Sequence, residues 1–232
     1  MSLIRALSVL FLTLSPLAGC QGTRGSQRAV EISQSALAEA MRVKADSPPL
    51  EKINAGAIEQ TTQTTGYDAS YAKLDYPNGD VPIETGVCAD VIVRAFRKAG
   101  IDLQKELHED MKKNFATYPR KWGLRGPDAN IDHRRVPNLM TWFDRQGKAR
   151  PITKDAKDYL PGDVIAWDMT PGLPHIGMVS KIKVEGAERY AVVHNIGAGA
   201  RIEDVLFAWK IIGHYRYFEQ KQDTTNKSRS GD

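Results

Sequence analysis

The sequence predicts an α+β protein, with helices packed on one antiparallel sheet. Amphipathic segments of helical period run as far as Arg145. From Pro161 onward the chain changes to short β-rich runs separated by turn residues, the order expected of an α+β fold. Its 232 residues, 41% of them hydrophobic, are ample for one well-buried core and too apolar for a disordered chain.

The chain opens with Arg5, an apolar run from Ala6 to Leu14, and then Ser15-Pro16-Leu17-Ala18-Gly19-Cys20. A charged start, a short apolar stretch and small residues before a cut site describe a signal peptide over residues 1–19. At ~1.5 Å per residue the apolar run spans under half of a ~30 Å hydrocarbon core, so it is no permanent transmembrane helix. Leu17-Ala18-Gly19-Cys20 resembles a bacterial lipobox, which implies lipidation of Cys20 and a membrane anchor. By the same resemblance Gln21 favours a periplasmic protein tethered to the outer membrane. The plainer alternative is a signal peptide that happens to contain a cysteine. Residues 20–28, rich in Gly, Ser, Gln and Arg, read as the tether.

Helical period returns over Ala29 to Val43, with Val30, Ile32, Ala36, Leu37, Ala40 and Met41 apolar. Pro48-Pro49 then opens a helix over Leu50 to Thr61. Tyr67 to Pro82 reads as an extended loop; Tyr67, Tyr71 and Tyr76, with Trp122 and Trp167, are candidates either to line a groove or to pack in the core or on the surface. Gly86 to Ala99 is the clearest helix. Val87, Val91, Ile92, Ala95, Phe96 and Ala99 share one face, Arg94, Arg97 and Lys98 take the other, and Gly100 stops it. Leu103 to Asn114 and Val136 to Arg145 are further helices. Strands are expected at Asp163 to Trp167, Ile176 to Val184, Arg189 to His194 and Ile211 to Phe218. Gly197-Ala198-Gly199 reads as a turn, and the polar residues 219–232 as a disordered tail. The domain is thus placed at 29–218.

Composition excludes several classes. Two cysteines cannot build a zinc-ribbon or iron–sulfur framework. The 32 basic residues are set against 28 acidic ones spread along the chain, which does not describe a nucleic-acid binder. If Cys20 carries lipid, Cys88 is left as an unpaired thiol in an oxidising compartment.

Cys88 falls in the first turn of the clearest helix, where unpaired N–H groups and the macrodipole favour thiolate over thiol. The bland reading of such a residue is a small buried hydrophobe. His175 begins one expected strand and His194 ends the next, so a hairpin brings both imidazoles to one end of the sheet. A nucleophilic thiol needs a base, and the base needs a third group to orient it. Cys88, His175 and His194 supply those parts.

Four stretches carry a family resemblance: Gly86-Val87-Cys88-Ala89-Asp90-Val91, Pro161-Gly162-Asp163-Val164-Ile165, His175-Ile176-Gly177-Met178-Val179 and Val193-His194-Asn195. Together they resemble the papain-like cell-wall cysteine peptidases of the NlpC type. More narrowly, residues 130–139 and Gly213-His214-Tyr215-Arg216-Tyr217 resemble the bacterial family called domain of unknown function 1287, over roughly Ile53 to Phe218. The resemblance implies a papain-like fold with Cys88 as nucleophile, His175 as general base and His194 as the orienting group. Asn195 is a rival for the last role, but as a strand neighbour it faces the other way from His194. The separation of His175 and His194 is longer than in compact relatives, with the extra residues in a hairpin turn around Lys181 to Glu188. Ala89-Asp90 stands where many NlpC-type enzymes carry Ser-Gly.

The expected function is hydrolysis of an amide or peptide bond, with peptidoglycan as substrate and partner and with no cofactor. Arg134 and Arg135 are candidates to bind a substrate carboxylate, as against a solvated basic loop, and Asp90 and Asn195 are further candidate substrate contacts. Asp90 has the plainer alternative of favouring the helix start electrostatically. Rival readings are a non-catalytic envelope-binding lipoprotein, an acyltransferase on the same triad, and a metallohydrolase using His175, His194 and Asp168. The last lacks any compact ligand pair at helical spacing, so no metal is expected.

Overall fold

A computed structural model describes residues 28–219. The signal peptide, the lipobox with Cys20, residues 20–27 of the tether and the tail beyond Glu219 lie outside the described residues.

Helices and sheet follow in the expected order. Helix α1 spans Gln34–Met41, α2 Pro49–Glu59, α3 Cys88–Lys98, α4 Leu103–Asn114 and α5 Val136–Arg145. Each begins or ends for a local reason. Pro49 sits in the first turn of α2, Asp102 accepts the Gln104 N–H at 3.2 Å ahead of α4, and Gly100 ends α3 with φ +82°. The helix expected from Ala29 starts later. Ser33 caps α1 by accepting the Ala36 N–H, while Arg28–Ala29 forms a two-residue strand, β1. Val30 and Ile32 pack on the core from an extended segment instead.

The remaining strands are β2 (Val164–Asp168), β3 (Pro174–Lys183), β4 (Tyr190–Asn195), β5 (Ala200–Asp204) and β6 (Lys210–Tyr215). They form an antiparallel sheet in the order β1-β5-β4-β3-β2-β6. The meander from β2 to β5 is therefore closed by β6 returning beside β2. The last strand also ends at Tyr215 rather than Phe218. Strand β5 was not expected, because Arg201 and Glu203 interrupt its apolar character.

Period-2 alternation splits the sheet between two cores. Val164, Ala166, Ile176, Met178, Ala191, Val193 and Ile202 face the helices, packing with Ile53, Val91, Ile92, Phe96, Leu139 and Phe143. Ile165, Trp167, Val179 and Val192 face the other way, under Tyr159, Val205 and Leu206. Burial on both faces explains why these strands read as continuous apolar runs.

The long β3–β4 hairpin keeps its register at the histidine end. Gly177 pairs with His194, Met178 with Val193 and Val179 with Val192, and the irregularity comes later, before Lys183 pairs with Tyr190. Strand β3 continues through Lys183, so the turn expected around Lys181 to Glu188 begins only after it.

Gly199 closes the β4–β5 turn at φ +85°, and a Cβ there would lie 2.5 Å from the Thr64 carbonyl oxygen. Gly186 shares a positive φ of +69° but has open space around it. Gly199→Ala is expected to cost about 1–3 kcal/mol beyond the backbone penalty shared with Gly186→Ala. Urea denaturation of the two variants measures the difference.

Candidate active site

Residue Val87 is the N-cap of α3, which makes Cys88 its first helical residue. The side chain that secures this helix start is Asp90, whose carboxylate accepts the Val87 N–H at 2.6 Å. The same carboxylate takes a forked contact from Arg134, with Nε at 3.0 and 3.2 Å and Nη2 at 3.0 Å. Arg134 goes on to donate to the carbonyls of Ser70 and Asp68. Both side chains are buried, so their hydrogen-bonding capacity serves the fold. Asp90 and Arg134, candidates for substrate contact, therefore act here by holding the tyrosine-bearing loop and the start of α3 together. Asp132–Arg134 is a buried 3-10 turn rather than a solvated basic loop.

Asn195 is likewise committed. Its amide donates to the carbonyls of Gly66 and Gly86, the latter two residues before Cys88, and its oxygen accepts the Gly197 N–H. It points away from His194, as strand alternation requires. Arg135 is different: it lies over the Trp122 ring at 4.1 Å, donates to Asp132 at 2.9 Å and lines an open cleft.

That cleft has a volume of about 530 Å³, and Cys88 lies in its wall with Tyr67, Tyr71, Trp122, Arg134 and Arg135. Tyr76 and Trp167 are elsewhere. Tyr76 packs on His108 and bonds Glu109, and Trp167 is in the second core.

The backbone N–H of Ile176, the residue after His175, lies close enough to Cys88 to pull its thiol pKa down. Ile176 points toward the helices, whereas His175 points to the opposite face and packs on Trp167. Thiol and imidazole thus approach one strand end from its two sides. Among the described residues no hydrogen bond joins them in this resting geometry.

Behind His175 runs a buried chain of polar groups. Its Nε2 is 2.8 Å from Nδ1 of His194, whose Nε2 is 2.8 Å from Oε2 of Glu203. Gly177 makes the ring contact possible, since it pairs directly with His194 and a Cβ there would lie 3.1 Å from the His194 Cβ. Trp209 packs edge-on against both rings. Of the two candidates for contact with His175, only His194 makes one.

Glu203 escaped sequence reasoning because β5 did so. Its signal was parity: Glu203 pairs with Val192 and so shares the face of His194. The other histidines serve elsewhere. His214 and Arg216 share the buried Asp163 at 2.8 and 2.7 Å, tying β6 to the turn before β2.

The electrostatics reverse one expectation. Burial pushes the Cys88 thiol up to about 11, with help from the nearby Asp90 charge, while the N–H groups of Ile176, Ala89 and Cys88 itself pull it down. Desolvation outweighs the helix start, and the resting sulfur is a thiol. Burial and the neighbouring His194 lower His175 to about 3. The pair is therefore neutral at rest. The hydrogen bond from His194 lowers the pKa of Glu203, so that end of the chain is ionised. Tyr67, raised to about 12 by burial and by Cys88 and Asp90, stays a neutral O–H donor beside the thiol. Among the described residues no group of three or more His, Cys, Asp or Glu is arranged to hold a metal ion.

Fold and site together define an α+β protein with a helix-start cysteine and a separate buried Glu–His–His chain. The chain belongs to the family described as "Domain of unknown function (DUF1287)", whose profile matches residues 54–217. It is similar to the "Uncharacterized protein YijF" of Escherichia coli (strain K12), at 57% identity over 166 residues, covering 70% of this chain and 79% of that protein. Neither name states an activity, so the chemistry rests on the residues.

Asp90→Ala is expected to cost about 3–5 kcal/mol, because it leaves the Arg134 guanidinium buried without its counter-charge. Asp90→Leu combined with Arg134→Met should recover much of that loss, and denaturant midpoints measure both.

His175 binds its proton near pH 3 when folded, against ~6.5 in the unfolded chain, so between those values the unfolded state holds more protons. Stability contributed by the neutral ring is full above pH ~6.5 and falls as the pH drops toward 3, by up to ~1.4 kcal/mol per pH unit. In His175→Phe the pH dependence of the urea midpoint over that window should flatten accordingly.

Proposed function

We propose that this protein is a cell-envelope thiol hydrolase of papain-like, NlpC-type fold that cleaves an amide or peptide bond in peptidoglycan. One observation carries the reading: the His175–His194 contact at the strand end where Cys88 opens onto a cleft. The Leu17-Ala18-Gly19-Cys20 motif supports export and a lipid anchor at the outer membrane. Lys121 and Arg135 in the cleft wall suit an acid-bearing substrate such as a peptidoglycan stem.

The neutral resting pair sets the order of events. As Sγ of Cys88 bonds the substrate carbonyl carbon, its proton passes to Nδ1 of His175. The transfer requires the two groups to close to hydrogen-bond range once substrate fills the cleft, since catalytic contacts are often loose before substrate binds. N–H groups at the start of α3 and the Tyr67 hydroxyl are the donors available to the oxyanion. Collapse breaks the C–N bond, and the imidazolium proton leaves with the amine. Water then loses a proton to His175 as its oxygen bonds the acyl carbon, the C–S bond breaks and the thiol regains its proton. An amine in place of water would make the same site an acyltransferase.

The buried, protonated thiol favours a second reading, a non-catalytic envelope-binding lipoprotein on this fold. Digestion of purified peptidoglycan followed by mass spectrometry separates the two. Wild type should release new fragments, and Cys88→Ala should lower their rate by about 10³-fold or more. Equal digestion by both proteins would remove the thiol from the chemistry, and no digestion by either would favour the binder.

A further inference from the structure

Glu203 is almost wholly buried, on the sheet face that carries His175 and His194. A carboxylate in such a place is costly unless hydrogen bonds hold its charge. The bond that does so comes from His194 at 2.8 Å. An ionised carboxylate only accepts, so Nε2 of His194 carries a proton. Where that ring is neutral its Nδ1 is an acceptor, and the atom facing it at 2.8 Å, Nε2 of His175, donates. His175 is left with its lone pair on Nδ1. Trp167 packs on the His175 ring, and Trp209 packs edge-on against both rings.

We propose that Glu203 is a positioning residue of the Cys88 site, fixing His194 and His175 as Nε2–H tautomers so that Nδ1 of His175 is the base. Its use in catalysis rests on the hydrolase reading, but the tautomers do not. The chain also has a charge role. When His175 takes the thiol proton, the Glu203 carboxylate at the other end offsets the new positive charge through His194. A neutral amide at residue 203 supplies no such charge, and its NH₂ can donate to Nε2 of His194, which reverses both hydrogen bonds and places the proton of His175 on Nδ1.

Long-range ¹H–¹⁵N spectra of the ¹⁵N-labelled full chain at neutral pH, with assignments from single histidine substitutions, test the inference directly. The expected wild-type result is protonated Nε2 and bare Nδ1 on both rings. In Glu203→Gln, His194 or His175 should gain Nδ1–H, and kcat for peptidoglycan fragments should fall by roughly 10²-fold with KM little changed. A wild-type His175 protonated on Nδ1 overturns the proposal, and this arm needs no variant to fold. So does a folded Glu203→Gln that keeps both tautomers and its kcat. If wild type cleaves nothing while the tautomers respond to Glu203 as stated, the positioning role stands and the hydrolase reading falls.

Discussion

One buried carboxylate holds the functional half of this structure together. Asp90 caps the backbone just before Cys88 and grips Arg134, which in turn grips the loop at Asp68 and Ser70. The start of α3, the tyrosine-bearing loop and the 3-10 turn before α5 have no common secondary structure to align them. Their relative placement depends on that ion pair, and with it the cleft that Cys88 faces. A buried pair of this kind adds little net stability over a well-packed apolar one. Its contribution here is geometric, since a forked guanidinium–carboxylate contact tolerates little rotation.

The second constraint is strand register. Because side chains alternate, a slip of one residue between β3 and β4 would put His194 on the helical face and Asn195 beside His175. Gly177 opposite His194 guards that register, since a Cβ there would crowd the Val192 side chain, the Val193 carbonyl and the His194 Cβ. The hairpin's irregularity is kept near Lys183, far from the histidines.

Burial decides the protonation states. A helix start alone argues for thiolate, and the N–H groups at Cys88 and Ala89 act in that direction. Removing the sulfur from water acts the other way and is the larger effect. The same balance lowers His175, so the resting site stores a proton on sulfur rather than on nitrogen.

Much was legible in the sequence because it is written locally. The apolar stripe of Cys88–Lys98, the proline at the start of α2, the glycine after α3 and the runs of β2 to β4 state their elements without reference to the rest of the chain. So did Cys88 at a helix start and two histidines at adjoining strand ends. What stayed hidden depends on partners distant in sequence. Arg134 and Asp90 look like free charges until 44 positions of chain fold back to join them. Strand β5 carries polar residues that make sense only beside His194, and so Glu203 went unread. The thiol's pKa depends on how much water the finished core excludes. Sequence alone determined which groups could do chemistry and the elements that carry them, since local periodicity and capping act over a few residues. Tertiary structure alone decided which charges are neutralised, which histidine nitrogens meet and which proton stays where, because desolvation and long-range pairing exist only in the folded chain.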